Sequence, residues 1–188
     1  MKSALIVIDV QQSFTRRPYW DAAELPPFLS NLQLLADRAH QAGVPVLQVF
    51  HVDEEGAENP FSRQSGLIRT LPELNLEPTE VFTKAVHSAM FASNVNGKSL
   101  DYWLRNNGIE RLIITGIRTE QCCETTTRHA SDEGFEVDYV TAATLTFDMQ
   151  TPAGATLTAA QIRERTETVL AGRFATICTV AQALQRAR

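Results

Sequence analysis

Leu112-Ile113-Ile114-Thr115-Gly116-Ile117-Arg118-Thr119-Glu120-Gln121-Cys122-Cys123 is the stretch on which the reading of this chain turns. Its branched apolar start, flanked by charge and closed by Gly116, reads as a buried parallel strand from Arg111 to Ile117. Thr119 has the chemistry of a helix N-cap, and from it a helix is predicted to about Glu133, with Ala130 on its apolar side and Gly134 as its stop. Counted from that cap, Cys122 is the third helical residue. There it would face unpaired backbone N–H groups and the positive end of the helix dipole, which lower a thiol pKa and make the sulfur a nucleophile. A cysteine at a strand-to-helix junction also has a structural reading, as a small core residue.

Outward from this stretch the chain alternates strands and helices. Ala4 to Val10 is a continuous apolar strand ending at Asp9-Val10-Gln11-Gln12. Phe28, Leu32, Leu35, Ala36 and Ala39 recur at helical spacing between Pro26-Pro27 and Gly43, marking an amphipathic helix. Val44 to Val52 is a second strand. The polar segment from Asp53 to Gln64 is long for a connection and suits binding or a contact with another subunit. Glu80 to Lys84 is a third strand, and Leu100, Trp103 and Leu104 mark a helix stopped at Gly108.

Downstream, Glu136 to Ala142 is a fifth strand and Ala175 to Cys178 a sixth. Thr158-Ala159-Ala160-Gln161 and Thr179-Val180-Ala181-Gln182 have capping-box spacing; the first opens a helix to about Leu170 and the second opens the last helix. Six strands alternating with helices predict a single α/β domain over residues 1–188: a three-layer α/β/α sandwich, Rossmann-like, with a six-stranded parallel sheet. Ligands of such sheets bind beyond the carboxyl ends of the strands. Asp9, Lys84 and Cys122 all stand at or just past such ends, offering a base, a cation and a thiol.

Composition narrows the partners. The chain has 188 residues, 44% of them hydrophobic, enough for one domain with a substantial core. A net charge of −5 without a basic run argues against nucleic acid as partner. The apolar run after Met1-Lys2-Ser3 is too short to span a membrane, so a cytoplasmic protein without membrane association is expected. Three cysteines, two of them adjacent, argue against a disulfide framework. The absence of a G-x-G-x-x-G after the first strand and of a P-loop argues against a nucleotide-binding domain. Nothing in the sequence brings His40, His51, His87 or His129 beside Cys122, although His87 follows Lys84 closely.

Leu5 to Phe14, then Lys84 with Ser88-Ala89-Met90-Phe91, then Thr115 to Cys122 resemble, in order, the three signatures of the isochorismatase-like cysteine hydrolases. The resemblance extends to Gly172-Arg173-Phe174-Ala175-Thr176 and so covers nearly the whole chain. It implies that Asp9 is the general base, that Lys84 holds Asp9 and the thiolate, and that Cys122 attacks a carbonyl carbon. It also implies a cis peptide between Ile117 and Arg118, with the backbone N–H groups of Arg118 and Cys122 forming an oxyanion hole. The implied activity is hydrolysis of a C–N bond in a small amide or ureido-type substrate through a thioester, with no cofactor. A member that has lost activity and serves as a binding or scaffold protein is the alternative, against which fast labelling of Cys122 by iodoacetamide would weigh.

Departures from the family bear on the substrate. Nicotinamidases of the family carry an Asp-x-His metal motif after the second strand; His51-Val52-Asp53 reverses it, so no metal is expected, with a weak site on His51 and Asp53 as the alternative that metal analysis of the purified protein decides. Retention of the cysteine sets the chain apart from the true isochorismatases, which cleave an enol ether. Glu120 stands where the family usually has Asp, and Cys123 where a small apolar residue is common. Phe14, Trp20, His51, His87, Phe91 and Arg118 neighbour the motifs and are candidates to line a substrate pocket. The family further implies a homo-oligomer, a dimer or larger.

Overall fold

Every residue of strand β1 (Ser3–Ile8) is buried. Leu5 and Val7 point into one hydrophobic cluster, while Ala4, Ile6 and Ile8 point into another on the opposite face. A strand apolar on both sides must be covered on both sides, which fixes a layered fold around it. The structure, a computed structural model, describes residues 1–56 and 58–187. Its elements in order are β1, α1 (Leu25–Gln41), β2 (Val46–His51), β3 (Glu80–Lys84), β4 (Ser93–Asn94), α2 (Leu100–Asn106) and β5 (Arg111–Ile117). They continue with a π turn (Thr119–Cys123), α3 (Glu124–Asp132), β6 (Glu136–Leu145), β7 (Met149–Gln150), β8 (Thr156–Leu157), α4 (Ala159–Leu170), β9 (Thr176–Ile177) and α5 (Val180–Arg186).

The main sheet has seven strands in the order β4-β3-β2-β1-β5-β6-β9. All six predicted strands are in it and run parallel. The seventh, β4, corrects the all-parallel expectation: it pairs antiparallel with β3 at the edge, and its two residues are too few to show an alternation in the sequence. β7 and β8 form a separate hairpin. β6 runs three residues past its predicted end at Ala142, because a register shift between Ile114 and Gly116 lets Gly116 pair with Thr144 and Ile117 with Leu145.

Helices α1 and α5 cover one face through Leu32, Leu35, Ala36 and Ala183. Helices α2, α3 and α4 cover the other through Leu100, Leu104, Ala130 and Leu170. Both predicted capping boxes form, Thr158 with Gln161 and Thr179 with Gln182. Thr119 is not the N-cap that the sequence suggested. Arg118 takes that position, and the Thr119 hydroxyl turns instead to that of Thr144, 2.8 Å away. Among the described residues no helix is long and apolar enough to cross a membrane.

Strand order reverses between β1 and β5, since β2 and β3 extend to one side and β6 and β9 to the other. The crevice beyond those two carboxyl ends is where an open parallel sheet binds ligands. β1 and β5 approach so closely there that a Cβ on Gly116, whose φ is +129°, would lie 2.0 Å from the Ile8 carbonyl oxygen. Only glycine fits, and the close approach sets the turn after Ile117 beside the end of β1.

Candidate active site

Asp9 follows the last residue of β1 and has φ 54°, a left-handed conformation that Asp tolerates better than most residues. Its N–H donates to the Val49 carbonyl at 2.8 Å, and its own carbonyl accepts from the Gln11 N–H at 2.8 Å. The carboxylate is thus fixed at the switch point and is fully buried. Lys84 is the last residue of β3, two strands away, and its side chain reaches back across the end of β2. Lys84 Nζ donates to Asp9 Oδ2 at 2.7 Å and to Cys122 Sγ at 3.5 Å. Residues separated by 75 and 38 positions therefore meet on one ammonium, and all three are buried.

Cys122 lies on the π turn, and the Ile117–Arg118 peptide before it is cis. Its thiol departs from the sequence-based expectation. Burial, and next the Asp9 carboxylate, push it up to about 12, while Lys84 pulls the other way. The favourable helix-end environment is outweighed by loss of solvent and by an anion beside the sulfur. For Lys84 burial alone would lower the pKa, but the Asp9 carboxylate and then Cys122 more than offset it, so the ammonium is held above its ordinary value. Both shifts keep protons in place, so an ammonium on Lys84 faces a neutral thiol on Cys122. Asp9 Oδ1 is buried and has no hydrogen-bond partner among the described residues, which leaves it free to accept a proton.

The remaining predicted residues separate into two groups. His87 is exposed, with Nδ1 4.0 Å from Cys122 Sγ, so one histidine does come beside the cysteine, contrary to what the sequence indicated. His51 touches the lysine: Lys84 Nζ lies 3.1 Å from His51 Nδ1, and His51 Nε2 lies 2.7 Å from Asp53 Oδ1. The Arg118 guanidinium is buried 2.9 Å from Glu120 and lies over the touching rings of Tyr19 and Phe147, 4.8 and 5.7 Å from their centres. Trp20 packs on Phe147.

Phe14 and Phe91 do not behave as pocket walls. Phe14 is buried edge-to-face against Phe61 in the core, and Phe91 is 68% exposed and meets the His129 ring at a tilt of 53°. Cys123 lies wholly within the second cluster, where burial raises its thiol well above the usual range. Sequence reasoning gave Gln11 no role, yet its amide accepts from the His51 N–H at 2.8 Å and donates to the His51 carbonyl at 3.0 Å. That clamp fixes the end of β2 against the end of β1, and no local sequence pattern reports a contact between residues 40 apart. Both ring nitrogens of His51 are engaged, and among the described residues no three His, Cys, Asp or Glu side chains gather as metal ligands.

The chain is thus a doubly wound α/β protein with a thiol, a carboxylate and an ammonium gathered at the switch point of its sheet. The chain belongs to the isochorismatase family, whose domain model matches residues 3–182. It is 28% identical over 159 residues to nicotinamidase 3 of Arabidopsis thaliana, covering 78% of this chain and 74% of that one. It is 28% identical over 172 residues to the ureidoacrylate amidohydrolase RutB of Acinetobacter baylyi, covering 73% and 66%. An isochorismatase structure from Pseudomonas putida superposes with a TM-score of 0.80 at 26% identity, over 95% of this chain and 88% of that one. The protein is thus an isochorismatase-family hydrolase related to nicotinamidase and ureidoacrylate amidohydrolase.

Proposed function

We propose that the protein hydrolyses a C–N bond of a small amide or ureido-type substrate through a thioester on Cys122, with Asp9 as base and Lys84 as electrostatic partner. The observation that carries this reading is the single buried ammonium of Lys84 in contact with both the Asp9 carboxylate and the Cys122 sulfur. A thiol held up at about 12 does not ionise alone at neutral pH. Its proton passes to Asp9 as the sulfur attacks the substrate carbonyl, so the negative charge moves from carboxylate to sulfur while Lys84 stays paired with it. The developing oxyanion takes hydrogen bonds from the backbone N–H groups of Arg118 and Cys122. The C–N bond then breaks, with the proton on Asp9 going to the leaving amine. Water, deprotonated by Asp9, cleaves the thioester to release the acid and restore the thiol.

Two relatives support the substrate class by name, a nicotinamidase and a ureidoacrylate amidohydrolase. Arg118, paired with Glu120, and the half-buried Trp20 both meet Phe147, two residues past the end of β6. The protein works as a homo-oligomer in this reading, supported by the exposed apolar side chains of Val86, Phe91, Val95 and Tyr102; a monomer by light scattering would refute that part. The test of the activity is ammonia or amine release from a panel of small amides, ureido acids and nicotinamide, with wild type and Cys122→Ala side by side. Release by wild type alone supports the reading. Equal release by both removes Cys122 from the nucleophile role, and silence from both favours a binding protein.

A further inference from the structure

An ammonium group has three N–H donors and no acceptor. In this structure Lys84 Nζ has three acceptors within reach: Asp9 Oδ2 at 2.7 Å, His51 Nδ1 at 3.1 Å and Cys122 Sγ at 3.5 Å. Two belong to the triad proposed above, and the third does not. Because the lysine donates, His51 must present a lone pair at Nδ1, so its proton sits on Nε2 and is donated to Asp53 Oδ1 at 2.7 Å. His51 is paired directly with Lys84 in the β2–β3 register, which puts both side chains on the same face of the sheet.

We propose that His51, held in this tautomer by Asp53, is a positioning residue for Lys84. The inference rests on the triad reading and adds to it a neutral acceptor that fills the third donor of the ammonium. Without that acceptor one buried N–H is unsatisfied, and the ammonium is free to rotate its donors away from the sulfur. Everything around His51 fixes it. The Gln11 amide clamps its backbone on both sides, and Phe61 meets its ring edge-on at 5.8 Å. Asp53 is held in turn, its N–H donating to the Phe61 carbonyl at 2.9 Å and its Oδ2 lying 3.5 Å from Asn59 Nδ2. The polar loop after β2 thus folds back so that one carboxylate meets one imidazole. His51 and Asp53, which the sequence offered as a reversed metal motif and, for His51, as a pocket candidate, here meet each other and the lysine instead.

The experiment compares iodoacetamide alkylation of Cys122, followed by peptide mass spectrometry on the full chain at pH 9.5, in wild type, His51→Asn and His51→Leu. The rate tracks the thiolate fraction, and Lys84 is what favours thiolate here. Asn puts an oxygen where Nδ1 stood, so it should stay within about threefold of wild type, whereas Leu should slow alkylation about tenfold, as expected for an unsatisfied buried donor. Nitrogen NMR on histidine-labelled protein should show His51 protonated at Nε2 and unprotonated at Nδ1. Alkylation of His51→Leu within twofold of wild type, equal losses in both variants, or a proton on Nδ1 would each overturn the proposal. Should His51→Leu not fold, the NMR tautomer and His51→Asn decide. None of these readouts needs turnover, so silence on the amide panel together with the Asn rescue would sink the hydrolase reading and leave this one standing.

Discussion

Removing the Lys84 charge should cost stability as well as activity, and the cost can be worked from the burial. Lys84 Nζ and Asp9 Oδ2 are 2.7 Å apart with side chains 0% and 1% exposed. Lys84→Met keeps the stem and deletes the ammonium, stranding a carboxylate with no water and no counter-charge. Breaking one side of such a pair costs about 3–5 kcal/mol. Asp9→Asn strands the lysine instead, and Asn accepts the left-handed backbone at position 9 as readily as Asp does. The double variant removes both charges together, so its loss should fall short of the sum of the single losses by at least about 2 kcal/mol. Urea unfolding followed by circular dichroism measures all four proteins. Losses that add to within about 0.5 kcal/mol, or a Lys84→Met loss below about 1 kcal/mol, would refute the reasoning that the pair is a coupled buried unit.

Gly116→Ala places a methyl 2.0 Å from the Ile8 carbonyl oxygen and should cost about 4 kcal/mol or more, seen as a collapse of the melting temperature; a loss under about 1 kcal/mol would contradict the close approach of β1 and β5. Cys122 is held near 12 against 9.0 for an ordinary thiol, so the folded chain keeps a proton that the unfolded chain gives up. That contribution is complete below pH 9 and is lost as pH rises toward 12, by about 4 kcal/mol in order of magnitude; Cys122→Ala should flatten this alkaline slope in urea titrations. By the same cause iodoacetamide at pH 8 should modify Cys122 more slowly in the folded chain than in urea, and faster labelling would contradict a neutral resting thiol. Glu120→Ala leaves the buried Arg118 guanidinium without its carboxylate and should cost about 2–3 kcal/mol by urea unfolding, with no change taken as evidence against that pair.

The strands were legible because each buried one carries its own apolar run, and the capping boxes because their spacing is local. Strand β4 was not, since two residues at an edge leave no period to read. The candidate triad was legible through three ordered motifs, each short and each ending a strand. Its electrostatics were not. Reasoning from helix geometry alone lowered the Cys122 thiol, whereas burial and the charge of Asp9, more than a hundred residues away in sequence, raise it. His51 on Lys84, Gln11 on His51 and Arg118 on Glu120 depend on sheet register and side-chain direction, which neither composition nor periodicity encodes. Thr119 illustrates the same limit, a good capping residue turned inward by a hydroxyl on β6.

The central claim is that Cys122 carries the acyl group. Its most direct test is acid-quench mass spectrometry of the protein during turnover of whichever amide in the panel releases amine. The account predicts an added mass equal to the acyl group on the peptide that holds Cys122, removed by hydroxylamine and absent from Cys122→Ala. Steady amine release with no cysteine modified, or a Cys122→Ala variant that turns over at the wild-type rate, would contradict it.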